Sequence, residues 1–225
     1  MLKEGLFIVF TMISLSIYAK SDENYMTFQL TSGVSASSSS YDIGYINTLD
    51  NSSISIHGGG YSAFNFSVGK VFKRNFEFLG SVGFVTDGPD LNNGSIKYFI
   101  TVFQSSIKYN IIKSVKHKLY FGGGLAYYSR PKLYIDASKI QGGDKIEYFY
   151  NSSISPLLCV SYHYRISKVL DFLFDINSSF NKFDLKNAKL NDTNIDTQNL
   201  SNQKKPILKI DGSNLKFLIG LAINF

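Results

Sequence analysis

A two-residue period in hydrophobicity recurs eight times along this 225-residue chain and ends on Phe225, and few folds can accommodate it. In the last run, Leu215, Phe217, Ile219, Leu221, Ile223 and Phe225 alternate with Lys216, Gly220, Ala222 and Asn224. Successive side chains of a strand point to opposite faces, so each such run predicts a strand with one apolar face. Earlier runs place Met26, Phe28, Leu30 and Val34 on one face (about 26–34), then Phe64, Phe66 and Val68 (about 61–70) and Phe76, Phe78, Val82 and Phe84 (about 76–87). Phe99, Phe103, Ile107 and Tyr109 follow (about 96–109), then Leu119, Phe121, Leu125 and Tyr127. The sixth and seventh runs carry Ile154, Leu158, Val160 and Tyr162 (about 145–164), and Leu170, Phe172, Phe174 and Ile176. Beyond residue 19 no stretch carries a helical period. The chain is expected to be all-β.

The links between runs alternate in character. Those at 71–75, 110–118 and 165–169 are short and basic, whereas those at 35–57, 88–94, 131–144 and 184–206 are mostly longer and rich in Ser, Gly, Asn and Asp. A soluble sandwich would show the same alternation with its apolar face inward. Here the opposite face is unusually small, with Gly122, Gly124, Gly220, Ala126, Ala222 and several serines, which suits a crowded lumen better than a solvated surface. The expected architecture is an eight-stranded antiparallel up-and-down transmembrane β-barrel with short periplasmic turns and longer extracellular loops. Closure also removes the edges that an open sheet would expose.

Met1-Leu2-Lys3 and the apolar run from Leu6 to Tyr18, closing on Ala19, have the layout of a secretory signal peptide and are too short to span a bilayer. The expectation is a cleaved segment 1–19 and a barrel domain 20–225, exported from the cytoplasm. Cys159 is the single cysteine and His57, His117 and His163 are the three histidines, so no metal centre and no cofactor is expected. A formal charge of +6 is spread along the chain without a basic cluster, and no nucleic-acid partner follows from it.

Taken together, the N-terminal segment, the eight alternating runs and the terminal Leu221-Ala222-Ile223-Asn224-Phe225 resemble small Gram-negative outer-membrane proteins of the OmpX, OmpW and opacity-protein type. The resemblance implies residence in the outer membrane, contact with its lipid and lipopolysaccharide, and loops open to a host or matrix ligand. It further implies that Phe225, Ile223 and Leu221 are read by the barrel-assembly machinery during insertion. The chain departs from the pattern in having no Trp, so an aromatic girdle must come from its 15 Tyr and 19 Phe. Tyr127, Tyr128, Tyr148, Tyr150, Tyr162 and Tyr164, near expected strand ends, are the candidates.

Candidate chemistry is sparse. Gly58-Gly59-Gly60 and Gly122-Gly123-Gly124 lack the Lys-Ser/Thr of a phosphate loop, so close packing is the favoured reading. His57, on the loop side near Ser53 and Ser55, is the position a lipid A-modifying barrel would use, but a solvated loop histidine is favoured. Asp171, Asp175 and Lys216 are expected to point inward as a lumen polar network, a plug in preference to a gate, with Glu147, Lys108, Arg165 and His163 as candidate extensions. Cys159 is expected to be a buried, inert thiol. The favoured function is a non-enzymatic surface barrel with a filled lumen. The alternatives are a small porin-like channel for ions or small apolar solutes and, behind it, a lipid A-modifying enzyme.

Overall fold

The computed structural model describes residues 24–37, 39–42, 55–73, 75–88, 90–91, 94–112, 114–136, 144–195 and 207–225. Eight antiparallel strands form the barrel: β1 (Tyr25–Ser37), β2 (Ser62–Phe72), β3 (Phe76–Asp87), β4 (Gly94–Asn110), β5 (His117–Asp136), β6 (Ser153–Arg165), β7 (Leu170–Ser179) and β8 (Asn214–Asn224). Each pairs with its neighbour in sequence, and β8 returns to β1 in a ladder from Thr27↔Asn224 to Ser37↔Asn214. The wall is therefore closed, and the backbone groups along it bond to one another. The N-terminal segment 1–19 lies outside the described residues.

The period-two pattern sorts the faces as the sequence predicts. Leu30, Phe64, Phe78, Phe103, Phe121, Leu158, Phe172 and Ile219 face out and are exposed, while Thr31, Asn65, Ser106, Ala126, Cys159, Asp175 and Leu218 face in and are buried. Glycine serves the close approach of β5 to β4. A Cβ at Gly122 or Gly124 would collide with the backbone of Ile107–Lys108 or Ser105–Ser106, so these glycines pack and do not cradle a phosphate.

The two ends differ. At the turn end, β2–β3, β4–β5 and β6–β7 are joined by three short links. At the loop end the chain continues in strand form beyond the barrel, where loose loops at 131–144 and 184–206 were expected. β5 runs on to Asp136 and pairs with Lys145–Tyr150, which pairs in turn with Lys182–Leu190. Short strands Thr193–Ile195 and Lys209–Asp211 flank that arm. The continuation begins where β5 bulges at Arg130, whose φ is 24°, beside Pro131, and where the strands are interrupted at Asn151, Asn181 and Gly212. Pro131 reads as a strand end in sequence. It sits at a bulge, where a missing N–H costs no ladder bond, and β5 survives it.

Candidate functional site in the lumen

Inside the turn end, charges arrive in pairs. Glu77 of β3 accepts a hydrogen bond from Gln29 Nε2 at 2.7 Å and lies 3.6 Å from Lys108 Nζ of β4. Lys108 also donates to Ser161 Oγ of β6 at 2.6 Å. Across the lumen Asp171 of β7 lies 3.3 Å from Lys118 Nζ and 3.5 Å from Arg165 Nε, and Lys118 donates to the Tyr25 hydroxyl at 2.8 Å. Glu77, Lys108 and Asp171 are almost fully buried, and only pairing makes burial of such ions tolerable. His163 packs against Tyr120 with ring centroids 4.7 Å apart and planes tilted by 47°.

Midway along the barrel, Gln29, Thr31, Asn65, Gln104, Asp175 and Asn177 line a polar cavity of about 20 Å³, room for roughly one water. Lys216 sits next to Asn177 in the β7–β8 register. Its Nζ has no hydrogen-bond partner and lies 5.8 Å above the Tyr128 ring, a cation–π geometry.

Above Lys216 the lumen turns apolar. Ala63, Val85, Tyr98, Ile100, Val102, Ala126, Tyr128 and Leu218 form one cluster that continues upward into Leu133, Ile135, Tyr148, Tyr150, Phe183, Ala188 and Ile210 of the loop-end arm. The segment Ile56–Gly60 folds into the mouth. Its carbonyls accept hydrogen bonds from Tyr98 Oη at 3.0 Å, Ser35 Oγ at 3.1 Å and Asn214 Nδ2 at 3.4 Å, and Gly60 takes a φ of 76° that favours glycine. Tyr128 also shares a short hydroxyl contact with Ser179, which donates to Asn214 at 3.1 Å. At the rim, Ser213 N–H donates to Asp211 at 3.0 Å, and the Ser213 hydroxyl and N–H together hold the Asp211 carboxyl below the usual carboxylate range.

The anticipated inward residues are thus inside, but not joined as expected. Asp171 is paired, Asp175 keeps a buried Oδ1 without a partner, and Lys216 meets a ring instead of a carboxylate. Lys108, Arg165 and His163 lie in the turn-end network, whereas Glu147 belongs to the loop-end arm opposite Tyr134. Glu77 and Lys118 were not anticipated as partners, although Glu77 alternates inward with Ser81 in sequence. Of the six tyrosines proposed for a girdle, Tyr127, Tyr162 and Tyr164 face outward, while Tyr128, Tyr148 and Tyr150 are buried in the apolar cluster. Adjacent Tyr127 and Tyr128 cannot both face out on one strand. His57 N–H donates to Asp87 at 2.6 Å and its Nδ1 lies 3.1 Å from the same carboxylate. Ser53 lies outside the described residues. Cys159 is a buried free thiol. Phe225 completes the β1–β8 ladder through paired bonds with Met26, with Leu221 and Ile223 exposed on the outer face.

An apolar exterior around a polar, ion-paired interior inverts the order of a water-soluble protein, and such a continuous apolar belt belongs in hydrocarbon. Strands of about 11 residues, tilted by roughly 40°, cover about 25–30 Å, enough for an outer-membrane core. The fold is that of the small outer-membrane barrels. A major outer membrane protein from Thermus thermophilus matches 90% of this chain and 99% of its own at 12% identity and a TM-score of 0.55. Neisserial surface protein A matches 90% and 97% at 12% identity and 0.49. OprG from Pseudomonas aeruginosa matches 90% and 96% at 9% identity and 0.49. At these identities the likeness is one of fold. No protein-family model matches the chain, and no curated protein matches it in sequence.

Proposed function

We propose that the protein is a non-enzymatic integral barrel of the Gram-negative outer membrane, sealed by its own side chains, whose loop end meets envelope or host components. One observation supports this reading: among the described residues the inward side chains form ion pairs at the turn end and an apolar cluster at the loop end, and a polar cavity of about 20 Å³ lies between them. In this reading residues 1–19 direct export, and lipid and lipopolysaccharide surround the outer belt. Leu221, Ile223 and Phe225 present the assembly signal, and binding resides in the loop-end arm. Membrane fractionation with boiled and unboiled migration tests the location, and swelling of proteoliposomes in small sugars tests the seal. A heat-modifiable outer-membrane protein without swelling is expected.

A second reading, a narrow pathway for ions or small apolar solutes, draws on the buried unpartnered Asp175 Oδ1 and Lys216 Nζ at mid-lumen. Swelling that changes with Asp175→Asn or Lys216→Gln would favour it. Lipid A of unchanged mass in cells expressing the wild type or His57→Ala is the expected result for a barrel without lipid-modifying activity.

A further inference from the structure

In sequence the turns at 73–75, 111–116 and 166–169 carry Lys73, Lys116 and Lys168 and no acidic residue, with Arg74 and Lys113 of the same stretches outside the described residues. Lys73, Lys116 and Lys168 are exposed, as is Lys70 at the end of β2. The carboxylates nearest this end in the barrel wall, Glu77 and Asp171, are buried in the lumen and held by Lys108, Lys118 and Arg165, so they do not offset the outer ring. Asp22 and Glu23 precede β1 in sequence, outside the described residues.

The same turns hold aliphatic side chains in the open: Val115 is 77% exposed, Ile111 57% and Ile166 54%. Turns that faced only water would gain nothing from them. Aliphatic groups beside lysines compose an interfacial segment, in which the apolar groups enter the acyl boundary and long lysine stems lift the ammonium to the phosphates. The loop end mixes its charges instead, with Asp87 beside His57, Asp136 beside Lys145 and Asp184 beside Lys209.

From this asymmetry we infer that the turn end is a docking ring for anionic phospholipid headgroups in the leaflet it faces. The inference rests on the membrane-barrel reading above. A cation beside an anionic lipid surface strengthens association by up to about fivefold, and salt screens it. The wall positions the ring: three hairpins turn at the same end of the barrel, and each contributes an exposed lysine.

The test uses the chain refolded in phosphatidylcholine bilayers containing spin-labelled phosphatidylglycerol or phosphatidylcholine, with the motionally restricted boundary lipid read by electron spin resonance. The expected result is a preference for phosphatidylglycerol of at least about threefold at low salt, falling toward one in high salt. It should fall toward one in Lys70→Gln/Lys73→Gln/Lys116→Gln/Lys168→Gln and return when arginine replaces lysine at the same positions. Lys97→Gln/Lys132→Gln/Lys145→Gln, at the loop end, should leave it intact. Retention of the preference in the turn variant, its loss in the loop-end variant, or no preference in the wild type overturns the inference. So does binding to purified peptidoglycan that depends on the turn lysines without any lipid preference, which would assign the ring to the cell wall. Absence of any restricted lipid would instead defeat the membrane-barrel reading itself. Heat-modifiable migration confirms that each variant folds, and single Lys→Gln variants, read by the same ratio, replace the combined one if it does not.

Discussion

The two halves of the lumen are lined by opposite chemistries. The turn half buries Glu77, Lys108, Lys118 and Asp171 in crossed ion pairs, whereas the loop half packs Ile100, Val102, Tyr128, Leu218 and Phe183. These lysines also tie strands that are not neighbours in the wall: Lys108 of β4 donates to the Ser161 hydroxyl of β6, and Lys118 of β5 pairs with Asp171 of β7. The ion pairs stabilise little against a well-packed apolar alternative, but their disruption strands a charge. The apolar cluster has no such partner dependence and extends without a break into the loop-end arm. One half is thus specified by charge registry and the other by volume.

Disrupting the charge half should have the greatest consequence. Glu77→Gln removes the carboxylate 3.6 Å from Lys108 and leaves it Asp175 and the Ser161 hydroxyl, so it should lower stability by at most about 3–5 kcal/mol in urea titrations of the refolded barrel. Glu77→Gln/Lys108→Gln should recover most of that loss. If the double variant is as unstable as the single, side-chain volume and not pairing holds the turn half. Next comes the apolar half: Leu133→Ala removes a fully buried side chain and should cost about 2–5 kcal/mol. Hydrogen exchange should accelerate in 145–150 and 182–190 and stay slow around Glu77. Equal acceleration at both ends would merge the two halves into one unit.

Lys216 lies at the boundary between them. Its buried ammonium has only the Tyr128 ring, so Lys216→Met should raise stability by about 1 kcal/mol, while Lys108→Met lowers it. A loss at both positions would mean that Lys216 is paired after all. A slighter change is expected at the rim. Asp211 has its folded-state affinity for protons lowered by Ser213, so it contributes stability above the unfolded carboxyl range, and that contribution is lost as pH falls through the folded value. With solvent screening it amounts to about a few tenths of a kcal/mol, read as amide protection of Ser213 that fades on acidification and is absent in Asp211→Asn.

Strand number, closure and facing were legible because the period of two is set by the backbone and needs no knowledge of neighbours. Asp171, Asp175 and Lys216 were placed inward on that ground. Their partners were not legible, since pairing across a lumen depends on barrel stagger, which no single strand encodes. In sequence Glu77 therefore reads as one polar residue among small ones, and Lys118, at the edge of the basic link 110–118, reads as part of the turn. The loop-end arm was missed for a different reason. Pro131 and the Asn/Asp-rich composition of 184–206 are turn signals, yet Leu133 and Ile135 alternate beyond Pro131, and Phe183 and Ala188 reach the same cluster across a bulge at 185–187, held by contacts between segments far apart in sequence.

Single-channel recording of the refolded, heat-modifiable protein in a planar bilayer bears on the sealed lumen without intermediaries. A lumen closed by ion pairs below and an apolar cluster above predicts a silent membrane, both for the wild type and for Glu77→Gln/Lys108→Gln, in which the upper seal remains. Reproducible conductance steps from the folded wild-type protein would contradict the account.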